Sequence, residues 1–502
     1  MGKNYELKPF FVERMKQLLP DEKDFQSYLE ILKHEPVRSI RCNTLKISPN
    51  KLKKILEEKN WKISQPWKNH PEVMIVEGKY INRELQINMA PKSTSSDFSA
   101  KNIISAKKNF KQCSANLNST SSNKQDISRS NYVNNLKNPT NEVSNTCLGW
   151  TNVRDLTNLK TIKTNRGREL GGNNSSQKNK ILVNLEPGEL GRSLEHLIGY
   201  YYIQELASML PTIALDVKEG ELVLDLAASP GSKTTQMSAS MNNTGTIIAN
   251  EVSLGRIKIL ASNLERCGVT NCIITRKDGV AFCERIKKYM RLPSEASKEV
   301  AVQELEESRR KPTGCLQFDK ILVDAPCSGE GTLRSTPKTY QMWNPKTIFN
   351  LSRLQKSLVA SAIEILKPNG VLVYSTCTHA PEENEEVVDF ILEKFPEIKI
   401  EKIELPINCR KGITEWNTST KKYDDTSKDN IINNNFNLKL KDISHINNSL
   451  SGGRGGDGDG KENLERNKQI KRFSPEVNKS CRIYPHDANT EGFFIAKFKK
   501  IK

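Results

Sequence analysis

The chain contains no run approaching the roughly 18 apolar residues that a membrane-crossing helix needs, so no membrane partner is expected. Its 11 cysteines include no CxxC pair and no set with histidines at metal-ligand spacing, which argues against zinc or any other metal. The opening stretch MGKNYELKPF is polar and charged, so no signal peptide is expected. Odd, scattered cysteines without a leader predict free thiols in a reducing, intracellular compartment: nucleus or nucleolus, cytoplasm or an organelle. GxGxxG is absent, which weakens a nicotinamide reading. GSKTT resembles the tail of a phosphate loop, but Ser232 precedes the lysine and GxxxxGK[ST] is not met. Aromatic residues make up 6%, hydrophobic residues 36%, and the mean hydropathy is −0.60.

Positive charge, by contrast, is plentiful. The formal net charge is +18, which favours a polyanionic partner, although much of it sits in Lys-rich low-complexity sequence. Such sequence dominates 92–180 and recurs near 291–314 and 412–476. Asn, Ser, Lys and Gly there cannot bury enough apolar surface to offset chain entropy, so all three stretches read as disordered inserts in a folded frame. Residues 1–91 read as a small N-terminal α/β domain, completed by about 181–192; only the family resemblance that the chain's motifs carry implies that it is an RNA-binding domain. ELKPFFVERMKQLLP, FQSYLEILKH and SPNKLKKILEEKN are its helices. RSIRCNTLKI is a strand with Arg38 and Lys46 on one face and Arg41 on the other, any of which could contact phosphates or simply be solvated. Arg154, Lys160 and the GGRGG stretch serve as spacers or add nonspecific RNA affinity.

Residues 193–502 begin with a helix-rich stretch, SLEHLIGYYYIQELASMLPTIAL. Strands and helices then alternate regularly: ELVLDLAA, KTTQMSASM, TIIANEV, GRIKILASNLERCG, CIITRKDG, KILVDAP, LSRLQKSLVASAIEILKP, GVLVYSTCT and PEENEEVVDFILEKF. IKIEKIEL and GFFIAKFKK add a two-strand finish. The central strands are continuous apolar runs, as a parallel sheet covered on both faces requires. The expected class is therefore α/β, doubly wound.

Ligands bind such sheets beyond the carboxyl ends of the strands. The first strand leads through Asp225 to Ala227, Ala228, Ser229, Pro230, Gly231, Ser232 and Lys233, small residues that let a ligand approach a helix N-terminus. Glu251 ends the second strand and can accept ribose hydroxyls. Asp278 ends the third and can accept from an adenine amine. The fourth runs into DAPCSGEGT, with Asp324 and Cys327, and the fifth into YSTCT, with Cys377. A lone cysteine is by default a small buried hydrophobe, as expected for Cys267, Cys272 and Cys283. Two thiols just past adjacent strand ends fit that default poorly. A thiolate adding to carbon 6 of cytosine makes carbon 5 nucleophilic toward a methyl sulfonium, and a second thiol can assist release. Asp324 can bond the N3 and amine edge of the base. The nucleophile must ionise, so Lys233 or a helix terminus is expected to lower its pKa. His196, His379 and His486 are read as structural.

The stretches VLDLAASPGSKTTQ, ANEVSLGRIKILASNLERCG, DAPCSGEGTLR, VYSTCT, EENEEVV and RIYPHDANTEGFFIAKF resemble the Sun/Fmu (nucleolar-protein) family of RNA cytosine-5 methyltransferases. FVERMKQLL, RSIRCNTLKIS and LEHLIGYYYIQELASMLP are similar to its bacterial RsmF-type branch, which acts on small-subunit ribosomal RNA. The resemblance implies a Rossmann-like class I methyltransferase sheet with an antiparallel last strand, and S-adenosyl-L-methionine as cofactor. It implies 5-methylcytosine formation in structured RNA, ribosomal first and transfer RNA second; a monomer is the default expectation. Cys377 is then the nucleophile and Cys327 the residue promoting release. Lys233 joins the active site. Asp225, Ala227, Ala228, Ser229, Pro230, Gly231, Ser232, Lys233, Glu251, Arg256, Asp278 and Asp324 fall at cofactor- or base-binding positions. The bacterial branch carries a further RNA-binding domain after the segment matching GFF. A non-catalytic RNA-binding module of the same fold is the rival reading.

Overall fold

The computed structural model describes residues 7–82, 180–291, 316–336, 341, 343–417 and 470–501. The insert readings for 92–180 and 291–314, with Arg154, Lys160 and the GGRGG stretch, therefore lie outside the described residues, apart from Lys180 and Arg291 at their edges. The insert expected at 412–476 is narrower than that. Strands Glu415–Asn417 and Ile470–Arg472 pair with each other, and Trp416 and Phe473 are buried in the core. Their low-complexity neighbours hid two short strands from a composition-based reading.

In chain order the strands are β1 (Ser39–Cys42), β2 (Trp61–Ser64), β3 (Val73–Asn82), β4 (Lys180–Val183), β5 (Tyr201–Ile203), β6 (Leu222–Asp225), β7 (Thr246–Asn250) and β8 (Cys272–Thr275). There follow β9 (Phe318–Asp324), β10 (Leu366–Thr376), β11 (Ile398–Glu401), β12 (Arg410–Lys411), β13 (Glu415–Asn417), β14 (Ile470–Arg472), β15 (Cys481–Ile483) and β16 (Phe493–Lys500). The N-terminal sheet runs β2-β3-β1-β5, with β4 on β3. Its fourth member, β5, comes from the stretch read from sequence as helical, because three residues between two short helices carry no periodic signal. Leu52, Leu56, Trp61, Met74 and Tyr201 form the core of this layer.

The main sheet runs β12-β15-β16-β10-β9-β6-β7-β8, with β11 on the other side of β16. Strands β10, β9, β6, β7 and β8 are mutually parallel, while β16 pairs antiparallel to β10. The expected Rossmann-like class, parallel with an antiparallel last strand, is thus what the chain adopts. Helices cover both faces: Leu206–Leu215 and Ser232–Ser240 on one, Pro345–Glu364 and Glu385–Lys394 on the other. Leu224, Val323, Leu372 and Tyr374 are fully buried between them. The helix Gly279–Arg291, not expected from the sequence, follows β8. Among the described residues no helix is long and apolar enough to cross a membrane.

Two expectations are corrected. Cysteines are not all free, since Cys409 and Cys481 form a disulfide. Nor does Arg41 face solvent, where a phosphate could reach it. Arg41 is buried and donates to Gln204 Oε1 at 2.6 Å, the Ser232 carbonyl at 2.7 Å and Thr235 Oγ1 at 2.8 Å. Lys46 donates to the carbonyls of Ile198 and Arg266, and Arg38 to that of Leu185. Strand parity gives a side chain's face but not the element packed against it. Cys267 and Cys283 are buried as expected, and Cys272 is partly so.

Beneath β10 and β15 lies a buried ion pair. Arg482 donates from Nε and Nη2 to both oxygens of Glu385, each at 2.5 Å, and from Nη1 to the His379 carbonyl. Neither side chain exceeds 3% exposure. His379 stacks on Tyr484 with ring centroids 4.9 Å apart, and burial pushes its pKa down to about 3, so it is neutral and structural. Removing one member of such a pair strands the other charge. Arg482→Leu is expected to destabilise the fold by about 3–5 kcal/mol in denaturant unfolding, with no change in cooperativity.

Candidate active site

A cavity of about 640 Å³ opens at the carboxyl ends of the parallel strands. It is lined by Asp225, Ala227, Ala228, Ser229, Pro230, Ser232, Lys233, Asp324 and Cys377 from the expected set. Sequence reading missed its other walls, among them Gln204, Glu205, Ser208, Thr332, Ser335, Glu491 and Phe493, and Pro36, Val37 and Ser39 beside Arg38 from the N-terminal layer. These come from loops and strand ends far apart in the chain; Ser39, Gln204, Glu205, Ser208, Thr332, Glu491 and Phe493 stood inside stretches quoted as motifs but were not singled out within them.

The turn after β6 is built for close approach. Gly231 has φ +99°, a backbone conformation that strains any residue with a side chain. Ser232 then starts the helix that ends at Ser240. Asp225, at the tip of β6, is 1% exposed and accepts from Thr234 Oγ1 at 2.7 Å. Burial, reinforced by the nearby Asp324 carboxylate, pushes its pKa up to about 7. Among the described residues no cation lies within salt-bridge distance of it, although Lys233 nearby opposes the rise. The small residues and this acid fit the expected methyl donor, which carries ammonium and sulfonium charges.

The remaining cofactor candidates are not in the cavity wall. Glu251 is buried after β7, accepts from the Ser253 amide at 2.9 Å and pairs with Arg256 at 3.1 Å. Arg256 in turn donates to the Ser229 carbonyl at 2.5 Å, which ties the β7 turn to the β6 turn. Asp278 is exposed and accepts from the Ala281 amide at 3.0 Å, capping the unexpected helix.

Lys233 and Asp324 meet at 2.7 Å. The ammonium also donates to Ser208 Oγ at 2.9 Å and lies 5.4 Å from the centre of the Phe493 ring. Asp324 Oδ1 accepts from Ser375 Oγ at 2.8 Å, across the β9–β10 pairing in which the two residues are partners. This register carries the two loops that follow. Cys327 and Cys377 place their sulfurs 3.2 Å apart, and the Cys377 amide donates to Cys327 Sγ at 3.3 Å. Both thiols are partly exposed. The hydrogen bond with Cys377, then burial, raises the pKa of Cys327. The Cys327 loop is pinned from behind. Gly331 donates to the Cys377 carbonyl and accepts from Gly492 at 2.8 Å, an approach closed to any side chain, because a Cβ on Gly331 would lie 2.3 Å from the Gly492 oxygen.

The chain is similar to several known proteins. The family model described as 16S rRNA methyltransferase RsmB/F matches residues 212–431, and that of the N-terminal domain of 16S rRNA methyltransferase RsmF matches 7–84. It is 36% identical over 310 residues to the tRNA (cytosine(49)-C(5))-methyltransferase of Pyrococcus abyssi, covering 62% of this chain and 73% of that one. It is 42% identical over 214 residues to the ribosomal RNA small subunit methyltransferase F of Pectobacterium carotovorum, covering 42% of this chain but 38% of the relative. In fold it matches the crystal structure of NSun6 from Pyrococcus horikoshii with SFG, at a TM-score of 0.54, 22% identity and 99% coverage of both chains.

A group with a raised carboxyl pKa binds a proton in the folded state that the unfolded chain has already lost, so stability falls as pH rises from about 4 to about 7. In the ligand-free protein, Asp225→Asn is expected to raise the melting temperature at pH 8 relative to the parent. At pH 4 the two should melt nearly alike.

Proposed function

The chain belongs to the RsmB/F family of RNA cytosine-5 methyltransferases, and from that premise we propose that it methylates carbon 5 of a cytosine in ribosomal RNA by covalent catalysis from Cys377. The supporting observation is the pair of sulfurs 3.2 Å apart at adjacent strand tips, beside a cavity holding the Lys233–Asp324 pair. When bound, S-adenosyl-L-methionine supplies a methyl group on a positively charged sulfur. Asp225, Ala227, Ala228, Ser229, Pro230, Gly231, Ser232 and Lys233 hold it. Glu251, Arg256 and Asp278 complete that set only if their present partners yield.

The target base leaves any stack to reach the cavity. Asp324 orients it through N3 and the exocyclic amine, and Lys233 fixes Asp324. Cys377, as thiolate, adds to carbon 6. The electron pair of the C5–C6 double bond would then reach the incoming methyl through carbon 5, as the methyl–sulfonium bond breaks and leaves its pair on the donor sulfur. Cys327, as thiolate, takes the remaining C5 proton. The C5–C6 double bond re-forms, the bond from carbon 6 to Cys377 breaks, and its electron pair leaves on that sulfur. The thiols, acids and lysine are all retained, which favours an enzyme over a degenerate RNA-binding module. Both thiols and the cavity come from one chain, so a monomer suffices. The polyanionic partner is drawn by the +18 charge.

Transfer RNA is the second reading, favoured by the 73% coverage of the archaeal relative against 38% of the bacterial one. Incubation with labelled S-adenosylmethionine and cellular RNA is expected to label cytosine, and bisulfite sequencing of RNA from depleted cells separates the two substrates. Cys377→Ala should abolish turnover. Cys327→Ala should leave a protein–RNA adduct that survives denaturing electrophoresis, and the absence of that band would reverse or remove the two roles.

A further inference from the structure

Three glutamates, two in the turn before the helix Glu385–Lys394 and one at its first position, are buried with different partners. Glu382 takes Arg14, with bonds of 3.0 and 2.7 Å. Glu385 takes Arg482. Glu383, fully buried between them, has no cation within salt-bridge distance among the described residues. Its partners are neutral donors: the Ser328 amide at 3.0 Å and Gln355 Nε2 at 2.8 Å, both on Oε2. Gln355 Nε2 also donates to the Pro326 carbonyl at 2.8 Å. Pro326 and Ser328 are the two neighbours of Cys327. The carboxyl and the amide therefore grip the peptide groups on either side of that thiol, from the face opposite the cavity's nucleophile.

We propose that Glu383 and Gln355 are positioning residues for Cys327, fixing the loop that carries its thiol and, through the charge state of the Glu383 carboxyl, setting how readily that thiol ionises. The inference rests on the release role given to Cys327 above. Glu383 Oε1 is buried and meets no donor. A proton on that oxygen converts an unpaired acceptor into a neutral hydroxyl, the form that burial favours. Consistent with this, burial pushes the carboxyl up to about 8, against the opposing bonds from Ser328 and Gln355. The charged and titratable groups around it point the same way. Glu330, on the turn after Cys327, is a further carboxylate, and it too is raised by burial. Tyr374, on β10, donates to the Glu383 carbonyl at 2.5 Å and keeps its phenol proton. Arg14, from the first helix, is the nearest positive influence, and it is committed to Glu382. An ionised Glu383 holds the Cys327 proton more tightly, because like charge resists a thiolate. A neutral Glu383 lets it go.

The experiment follows decay of the RNA–protein adduct in single turnovers between pH 6.5 and 9.5, with rapid denaturing quench. In the parent, release should accelerate with pH and flatten above about 8, as Glu383 ionises. Glu383→Gln keeps an acceptor for the Ser328 amide but cannot ionise, so its release should keep rising, to about threefold the parent rate at pH 9.5. Gln355→Met keeps the volume but loses both bonds. It should slow release about tenfold at every pH and accumulate adduct, while methyl transfer stays within about twofold. A purely structural role would lower both half-reactions together and leave the pH profile unmoved. A parental profile in Glu383→Gln, or parental release in Gln355→Met, overturns the inference. If Cys327→Ala traps adduct, such a result falls on this inference alone. If it does not, the release role itself has failed.

Discussion

The parallel register of β9 against β10 is the constraint on which the site depends. It sets Asp324 opposite Ser375 and so brings two strand ends to the same level. Each strand is followed at once by a loop with a cysteine near its start, and the sulfurs meet because the strands stop together. Parallel strands need buried apolar faces on both sides, which Val323, Leu372 and Tyr374 supply. A slip of one residue would turn these side chains toward the opposite layer and separate Asp324 from its serine.

Around that register the chain buries an unusual amount of charge. Glu330, Glu382, Glu383 and Glu385 all lie below 5% exposure, in the layer behind the two thiols. Such groups do not add stability cheaply, since each must be desolvated and then matched. Two are matched by arginines from distant parts of the chain, Arg14 and Arg482, and two by neutral donors. The resulting frame is specific: the first helix, the loop after β9 and the strand β15 all converge on one turn. Exposed pairs such as Lys33 with Glu30 carry no comparable information.

Much of this was legible in the sequence. Continuous apolar runs ending in acids gave the sheet, and Gly, Ser and Pro after Asp225 marked a turn where a ligand comes close. Cys327 and Cys377 stood out because both follow strands. What could not be read is what depends on partners. Arg41 looked like a phosphate contact until Ser232 and Thr235 were seen to surround it. That Asp278 also caps a helix could not be read, because that helix was not foreseen. Gln355 carries no signal at all in sequence, being one polar residue inside a long amphipathic helix, yet it touches both Pro326 and Glu383. Trp416 and Phe473 were lost in low-complexity surroundings, where two aromatic residues weigh little against many Asn and Ser.

Arg41 has one more implication. A strand of the N-terminal sheet sends a guanidinium into the helix that begins at Ser232, where it neutralises carbonyl and amide dipoles just behind the cofactor turn. The small N-terminal sheet is thus mortar for the pocket wall at Ser232. A fragment retaining only the large sheet would keep Cys327, Cys377, Asp225 and Asp324, yet the helix beginning at Ser232 would lose the guanidinium that holds its first turn.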